Sequence, residues 1–423
     1  MFRSKWMMVG LATLLASWWS VGPVHAQSGF TPGQVVVWRV GGDANYNPGG
    51  SALSAAAAAV FLDQFNPLTA SQTAPTFTVA LPTVVGTLAQ TNAGSASTEG
   101  FFSRAQDSTQ LITMGYNAAV GTASVGTSNP ATINRSIGIV TDLGTFNTTT
   151  GFNNGPSGNV RSAAGDGSNN FWATTTAGLF HVPAANFGSV QNATNIAAGN
   201  WRNLRIFNNS LFGTSAAATP GVGLSLVGSV GTLPTGAAST AVLPGTGSSG
   251  TGTPSPYGFW LFDNPLNGNN WNGTGFDTLY VADDRTAVNG GGLQRWVYDG
   301  TSWNLSDTIT FTGGVTFRGL AAAIDTTGQP TVQLWLTTST ASANQLVTIT
   351  DTLSAGGGAF GTFTSLATAP TNTAFRGVDF TPVPEPTAVA LLCLAGIGLG
   401  YQRWRRSCRE RDRAAGLAHS AAE

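Results

Sequence analysis

Charged side chains are scarce in this sequence of 423 residues. Asp, Glu, Lys and Arg together make up 9% of the chain, whereas an ordinary soluble domain carries about 25%. Lysine occurs once, at Lys5, and the formal net charge is −1. A nucleic-acid-binding protein needs a basic surface that neutralises phosphates. The composition therefore argues against that class, and we expect no nucleic-acid partner.

Cysteine and histidine are also rare, with two and three residues respectively. Two cysteines exclude a disulfide scaffold, and so few Cys and His residues leave little for a Cys/His metal site. We therefore expect no cofactor and no metal ion. Glycine is abundant instead, at 55 residues, and aromatic residues reach 10%. A disordered chain has few aromatic residues and a high net charge, so we expect a folded body.

The first 26 residues have the pattern of a secretory signal peptide. Arg3 and Lys5 precede an apolar stretch over residues 6–21, and Val24-His25-Ala26 places small residues at the −3 and −1 positions. We predict cleavage between Ala26 and Gln27, after passage through the Sec translocon, by signal peptidase. An uncleaved membrane anchor is the alternative.

The other end of the sequence has three parts in a fixed order. Val383-Pro384-Glu385-Pro386 comes first, and an uncharged run over residues 387–401 follows. A basic cluster then begins with Arg403, Arg405, Arg406 and Arg409 and continues to residue 413. A helix over the uncharged run covers only about 22 Å of a hydrocarbon core of about 30 Å, so it spans a bilayer only with help from flanking residues. The basic cluster predicts a cytoplasmic end and an extracytoplasmic body.

This three-part end resembles the PEP-CTERM sorting signal of Gram-negative-type bacteria. The resemblance covers roughly residues 382–411, and residues 414–423 continue past the usual end of the signal as a predicted cytoplasmic tail. It implies that an exosortase-type membrane protease processes Val383-Pro384-Glu385-Pro386. It also implies an exported protein that is transiently anchored in the membrane and then reaches the cell surface or extracellular matrix, often alongside exopolysaccharide. A plain C-terminal membrane anchor is the alternative.

The body between these ends, residues 27–382, is predicted to be all-β. It contains ten Arg, no Lys and fifteen acidic residues, which gives a formal charge of −5, and it has no Cys and a single His, His181. Short runs of Val, Ile, Leu, Phe, Trp and Thr alternate with Gly/Asn/Asp/Pro/Ser clusters, as is typical of strands and turns.

Repeated segments indicate a β-propeller. Phe317-Arg318-Gly319-Leu320 and Phe375-Arg376-Gly377-Val378 are close copies, and looser copies surround Arg104, Arg161 and Arg202. Counting first strands near residues 100, 160, 202, 258, 318 and 376 predicts six blades. The last copy has only one strand before the sorting signal, so residues 34–40, 60–65 and 77–81 are predicted to complete its blade and close the ring. A β-sandwich or jelly roll is the main alternative, and a β-solenoid or two small domains is a further one.

The candidate site residues of the body are few. The repeated arginines either tie neighbouring blades through carbonyl groups, which we favour, or surround a channel that holds an anionic sugar. Trp271 and Trp303 lie in Asn/Gly-rich turns and are candidates for exposed glycan contacts. Two further alternatives are less favoured. One is that His181 acts as a general base. The other is that Ca²⁺ binds at Asp277, Asp283, Asp284 and Asp299. We expect no catalytic residue: the body is interpreted as a non-catalytic binding or structural module associated with exopolysaccharide, with a polysaccharide hydrolase or lyase as the alternative.

Overall fold

Six β-sheets form the blades of a β-propeller around a central channel in a computed structural model of the protein, which describes residues 29–85 and 88–384. No helix of these residues is long and apolar enough to cross a membrane. The predicted signal peptide, with Ala26 and Gln27, lies outside the described residues. So do Glu385, Pro386, the predicted helix over 387–401, the basic cluster from Arg403 to residue 413, and the tail after it.

Blades 1 to 3 are numbered by the order of their innermost strands, and each is given from the channel outward. Blade 1 consists of Ser103–Arg104, Gln110–Tyr116, Arg135–Thr141, Phe146–Phe152 and Val190–Gln191. Blade 2 consists of Val160–Gly165, Phe171–Thr175, Gly178–Val182 and Thr194–Ala198. Blade 3 consists of Trp201–Phe207, Ser210–Ser215, Gly223–Val227 and Thr240–Val242.

Blades 4 to 6 complete the ring. Blade 4 consists of Pro256–Phe262, Thr278–Asp283, Gly292–Tyr298 and Trp303–Ile309. Blade 5 consists of Phe317–Asp325, Thr331–Thr338, Gln345–Ser354 and Gly357–Phe360, and Thr364–Thr368 also pairs with its third strand. Blade 6 consists of Ala374–Phe380, Val35–Val40, Val60–Phe65 and Phe77–Ala80. Outside the blades, Ala57–Ala58 pairs with Asn92–Ala93, and short 3₁₀ turns cover Val125–Thr127, Ala184–Asn186, Trp271–Gly273, Ala287–Asn289 and Thr312–Gly314.

Blade 6 joins the two ends of the described chain, as the repeat pattern predicts. Its innermost strand comes from the C-terminal side and pairs antiparallel with an N-terminal strand, with Val37 opposite Val378 and Val35 opposite Phe380. The prediction of a six-bladed propeller closed by strands from both ends is confirmed, and the sandwich and solenoid alternatives are wrong. Closure gives the first N-terminal strand a partner on both sides, so no open sheet edge remains there.

The hydrophobic core lies between the blades. The buried apolar residues form six clusters, one at each contact between neighbouring blades. Trp172 of blade 2 and Trp201 of blade 3, for example, belong to one such cluster and are both fully buried. Strands covered on both faces carry continuous rather than alternating apolar residues, as in Val35–Val40, which is buried throughout. This arrangement explains the low charge of the body.

The repeated Phe-Arg-Gly segments have one structural role for each residue. Phe317 and Phe375 are buried in the inter-blade core. A Cβ at Gly377 would lie 2.8 Å from the carbonyl oxygen of Gly100 in the chain leading into blade 1, and a Cβ at Gly319 would overlap the carbonyl oxygen of Arg376. Glycine therefore lets adjacent innermost strands approach closely. The arginine between Phe and Gly is not a member of the core cluster that contains the Phe.

Candidate functional site

Four arginines and one tyrosine gather where the innermost strands begin. We define the arginine mouth as Arg161, Arg202, Arg318 and Arg376, from blades 2, 3, 5 and 6, together with Tyr257 of blade 4. The guanidinium carbon of Arg202 lies 4.1 Å from the centre of the Tyr257 ring, and that of Arg318 lies 5.7 Å from it. Arg202 and Arg318 are half-buried, whereas the other members of the mouth are buried.

Each of these arginines also holds blades together, in agreement with the favoured interpretation of the repeats. Three of the four bond to the chain that leads into another blade, and Arg318 reaches the end of a strand in blade 4. The contacts are Arg161 to Thr98 O (3.0 Å) and Asn200 Oδ1 (3.3 Å), Arg202 to Ser255 Oγ (2.7 Å), Arg318 to Asp284 Oδ2 (2.8 Å) and Arg376 to Gly94 O (3.2 Å). Three of these partners are backbone carbonyls or hydroxyls, so they leave most of the positive charge uncompensated.

Positive charge is in excess at the mouth. Asp284 pairs with Arg318 and is the one carboxylate in ion-pair contact with a mouth arginine among the described residues. Burial lowers the pKa of Arg161, and burial together with the like charge of Arg318 lowers the pKa of Arg376 to about 10. The nearby Glu99 opposes this lowering of the pKa at both arginines, so four guanidinium groups are balanced by two carboxylates, Glu99 and Asp284. The arrangement is therefore suited to binding an anionic group beside the two half-buried arginines.

Glu99 lies near the mouth but is engaged elsewhere. It is fully buried and accepts hydrogen bonds from Tyr116 Oη (2.7 Å), Asn159 Nδ2 (2.6 Å) and the backbone N–H of Ala93 (2.8 Å). Burial raises its pKa, and these donors oppose that effect. Its role is to connect the chain before blade 1 with blades 1 and 2, and it offers no open carboxylate to a ligand.

Side chains from opposite blades meet across the channel at two levels, at the mouth and further along the strands. The rings of Phe101, which precedes blade 1, and Tyr257 of blade 4 lie with their centres 5.5 Å apart. Further along the strands, Arg205 of blade 3 pairs with Asp379 of blade 6 (Nη1–Oδ2 2.7 Å) and donates to the carbonyl oxygen of Leu320 of blade 5 (3.1 Å). Both charged side chains are buried. A ligand at the mouth therefore meets a floor rather than an open pore.

Arg104 does not belong to the mouth, although the sequence pattern grouped it with the other repeated arginines. Backbone hydrogen bonds join Phe101 N–H to Arg161 O and Gly377 N–H to Gly100 O. In blade 1, residues 100–101 therefore lie at the same depth along the channel as the mouth arginines of the other blades. Arg104 lies further along the chain of blade 1. In blade 4 the corresponding level is occupied by Tyr257, because Gly258 lies against Arg318 and Leu320 of blade 5.

Trp271 and Trp303 are buried, so the expectation that they are exposed is wrong. Trp303 is 1% exposed and Trp271 is 7% exposed. Both belong to the core cluster between blades 3 and 4, where Trp271 packs against Phe212 with ring centres 6.0 Å apart. Trp271 begins a short 3₁₀ turn and Trp303 begins the outermost strand of blade 4, and both indole rings belong to this buried cluster. Neither ring is presented to a glycan.

The remaining candidates lie apart from the mouth or are already paired. His181, in the third strand of blade 2, is buried and stacks on Trp172 at 5.1 Å, and burial lowers its pKa. Asp283 pairs with Arg285 (2.9 Å), and Asp299 accepts hydrogen bonds within its own turn. No group of three or more His, Cys, Asp and Glu residues suited to a metal ion occurs in residues 29–85 and 88–384. Of the sorting motif, Val383 and Pro384 are described, and they follow the last strand closely.

Comparison with known proteins gives distant similarities to solved structures. No family model and no curated protein matches the chain. A candidate 6-phosphogluconolactonase from Bacteroides fragilis is 10% identical with a TM-score of 0.44, over 78% of this chain and 81% of that chain. A gluconolactonase from Xanthomonas campestris is 12% identical with a TM-score of 0.34, over 82% of this chain and 91% of that chain. At these values neither similarity bears on the chemistry of this protein.

Proposed function

We propose that this protein is an exported, surface- or matrix-associated propeller that binds an anionic extracellular polysaccharide without cleaving it. The observation that carries the proposal is the arginine mouth, in which the guanidinium groups of Arg202 and Arg318 lie against Tyr257 and one carboxylate forms an ion pair with a mouth arginine. Carboxylates of uronic-acid residues match guanidinium groups in charge and in planar hydrogen-bonding geometry. The low charge elsewhere in the body makes the mouth its main concentration of positive charge.

The half-buried arginines are the groups that a polysaccharide would meet first. Arg202 makes one short side-chain hydrogen bond, to Ser255, and its guanidinium lies on the face of Tyr257. Arg318 uses Nε for Asp284 and Nη1 for the carbonyl oxygen of Ser339. Both therefore keep donors beyond those used to join blades. The floor formed by Phe101 and Tyr257 favours a chain that lies across the mouth over one that threads the channel.

Replacing Arg202 with Met tests the binding site. The substitution keeps an apolar stem against Tyr257 and removes the charge together with the hydrogen bond to Ser255, so the melting temperature of the variant is measured alongside its binding. A hydrogen bond to a charged group contributes about 1.5–3 kcal/mol, which corresponds to a loss of affinity of roughly 10- to 100-fold. We expect that loss for alginate, a uronate polymer, measured by biolayer interferometry with the purified full chain.

Two controls separate charge recognition from general adhesion. Neutral dextran should not bind the unaltered protein, and alginate binding should weaken as salt is raised. Equal binding of alginate by the Arg202→Met variant and the unaltered protein would refute the site. Release of shortened saccharides from alginate during the assay would refute the non-catalytic part of the proposal and would favour the hydrolase or lyase.

The sorting motif is the second part of the proposal. The ring is complete at Phe380, so cleavage at Val383-Pro384-Glu385-Pro386 would release an intact propeller. Replacing Pro384, Glu385 and Pro386 with Ala is expected to leave the protein unprocessed in the inner-membrane fraction of an exosortase-containing host. Immunoblots of membrane, surface and medium fractions measure this distribution. Unchanged processing would contradict recognition of the motif by an exosortase. A plain C-terminal membrane anchor would then be the remaining interpretation.

A further inference from the structure

A second cavity lies further along the channel than the arginine mouth. We define the distal cavity by six of its lining residues, which are Arg104, Ser108, Arg205, Phe207, Trp260 and Asp379. Its volume is about 150 Å³ and it is partly open to solvent. Arg205 lies three residues beyond Arg202 in the same strand, which places it about 10 Å further along. The Phe101–Tyr257 ring pair closes the channel at the level of the mouth.

The charges of the distal cavity do not balance. Both oxygens of Asp379 are engaged: Oδ2 accepts from Arg205 and from the backbone N–H of Arg104, and Oδ1 accepts from the backbone N–H of Phe380. Asp379 therefore compensates Arg205. The guanidinium of Arg104 is half-buried and has one long hydrogen bond, 3.5 Å to Thr381 O. No carboxylate of the described residues forms an ion pair with it, so one positive charge at the cavity lacks a counterion.

Aromatic rings form the apolar part of the cavity wall. Phe207 and Trp260 are half-buried and lie edge to face with centres 5.7 Å apart. The guanidinium of Arg205 stacks on Trp260 at 4.2 Å, so the wall that carries Trp260 is held in place by the ion pair with Asp379. Aromatic faces and edges suit the C–H groups of a compact ring. A cavity of this volume encloses about a benzene-sized group, so a sugar acid, with about twice as many heavy atoms, would have one end inside and the rest at the open side of the cavity.

From these three features we infer that the distal cavity binds the carboxylated end of a single sugar ring with the chemistry of a uronic acid. The carboxylate would pair with the Arg104 guanidinium, and the ring would pack against Phe207 and Trp260. The Ser108 hydroxyl, at the cavity wall, supplies one hydrogen-bonding group for a ring hydroxyl. The ligand is either a free monosaccharide acid or the terminal residue of a longer chain. The site does not depend on the function proposed for the mouth.

Calorimetric titration of the purified full chain with glucuronate tests this inference. We expect saturable binding with one site per chain, and no binding of glucose, which has the same ring without the carboxylate. Arg104→Met is expected to weaken glucuronate binding at least tenfold. Arg104→Lys restores a positive charge and should recover part of the affinity. Titration of the Arg202→Met variant with a short oligoglucuronate distinguishes the two sources, because a site for a terminal residue binds the oligosaccharide, whereas a site for the free acid binds glucuronate alone.

Arg202→Met, which alters the mouth alone, is the matched control. It should leave glucuronate binding unchanged, whereas Arg104→Met should leave alginate binding at the mouth unchanged. Arg104 has no carboxylate partner, so its replacement should also leave the melting temperature close to that of the unaltered protein. Equal binding of glucose and glucuronate, or undiminished binding in a folded Arg104→Met variant, would overturn the inference. Absence of alginate binding by the unaltered protein, with its glucuronate binding intact, would refute the function proposed for the mouth and leave the distal site standing.

Discussion

A chain that ends after Thr373 is expected to lose cooperative folding altogether. It lacks Ala374–Phe380, the innermost strand of blade 6, and with it Phe375 and Val378 of the core between blades 5 and 6. Its first N-terminal strand, Val35–Val40, keeps one neighbour and exposes its other edge. An unpaired edge of continuous apolar residues promotes aggregation. Thermal unfolding followed by circular dichroism should show no sharp transition.

A chain that ends after Pro382 is the matched control for this truncation. It keeps every strand of the six blades and should melt cooperatively. The comparison isolates the closing strand, because the two chains differ by nine residues. Cooperative melting of the shorter chain within about 4 °C of the control, which corresponds to roughly 3 kcal/mol or less for a domain of about 350 residues, would contradict closure as the source of stability.

Replacing Asp379 with Ala is expected to reduce the free energy of unfolding by roughly 3–5 kcal/mol. The substitution leaves the buried Arg205 guanidinium without its counterion, and breaking a buried pair from one side costs about that much. Asp379 also accepts the backbone N–H of Arg104, so the bond between blades 6 and 1 is lost as well. Equilibrium unfolding in urea measures the change.

Asp307→Ala is the control for the Asp379 substitution. Asp307 is half-exposed and lies 3.7 Å from Arg295, and exposed ion pairs contribute about 0–1 kcal/mol. A double variant with Arg205→Met should recover part of the stability lost by Asp379→Ala, because it removes the unpaired buried charge. A loss for Asp379→Ala no larger than that for Asp307→Ala would show that the cross-channel pair is not a main contributor to stability.

The blade count was predictable because each blade repeats a local pattern. The Phe-Arg-Gly segments mark where innermost strands begin, and the incomplete last copy indicates closure by the N-terminal strands. The same pattern misplaces Arg104, because spacing along the sequence does not distinguish the register of one strand arginine from that of another. Only the hydrogen bonds between innermost strands place it beyond the other arginines.

The buried positions of Trp271 and Trp303 show where local composition misleads. Asn and Gly neighbours correctly indicate turns, and Trp271 does begin a 3₁₀ turn. Whether a turn side chain points to solvent or to the core depends on what the turn folds against. Here it folds over the cluster between blades 3 and 4, which the neighbouring residues in the sequence do not reveal.

An all-β ring of six blades, its closure by both ends and the low charge of strands buried on two faces were readable from the amino-acid sequence. These properties follow from hydrophobic runs and repeats that are readable over a few residues. The tertiary structure alone decided which side chains meet on the axis. Arg205 and Asp379 are 174 residues apart, Phe101 and Tyr257 come from opposite sides of the ring, and no local pattern marks them as partners. Convergence on the channel depends on the radial position and register of whole blades, so both proposed binding sites became visible only in the folded ring.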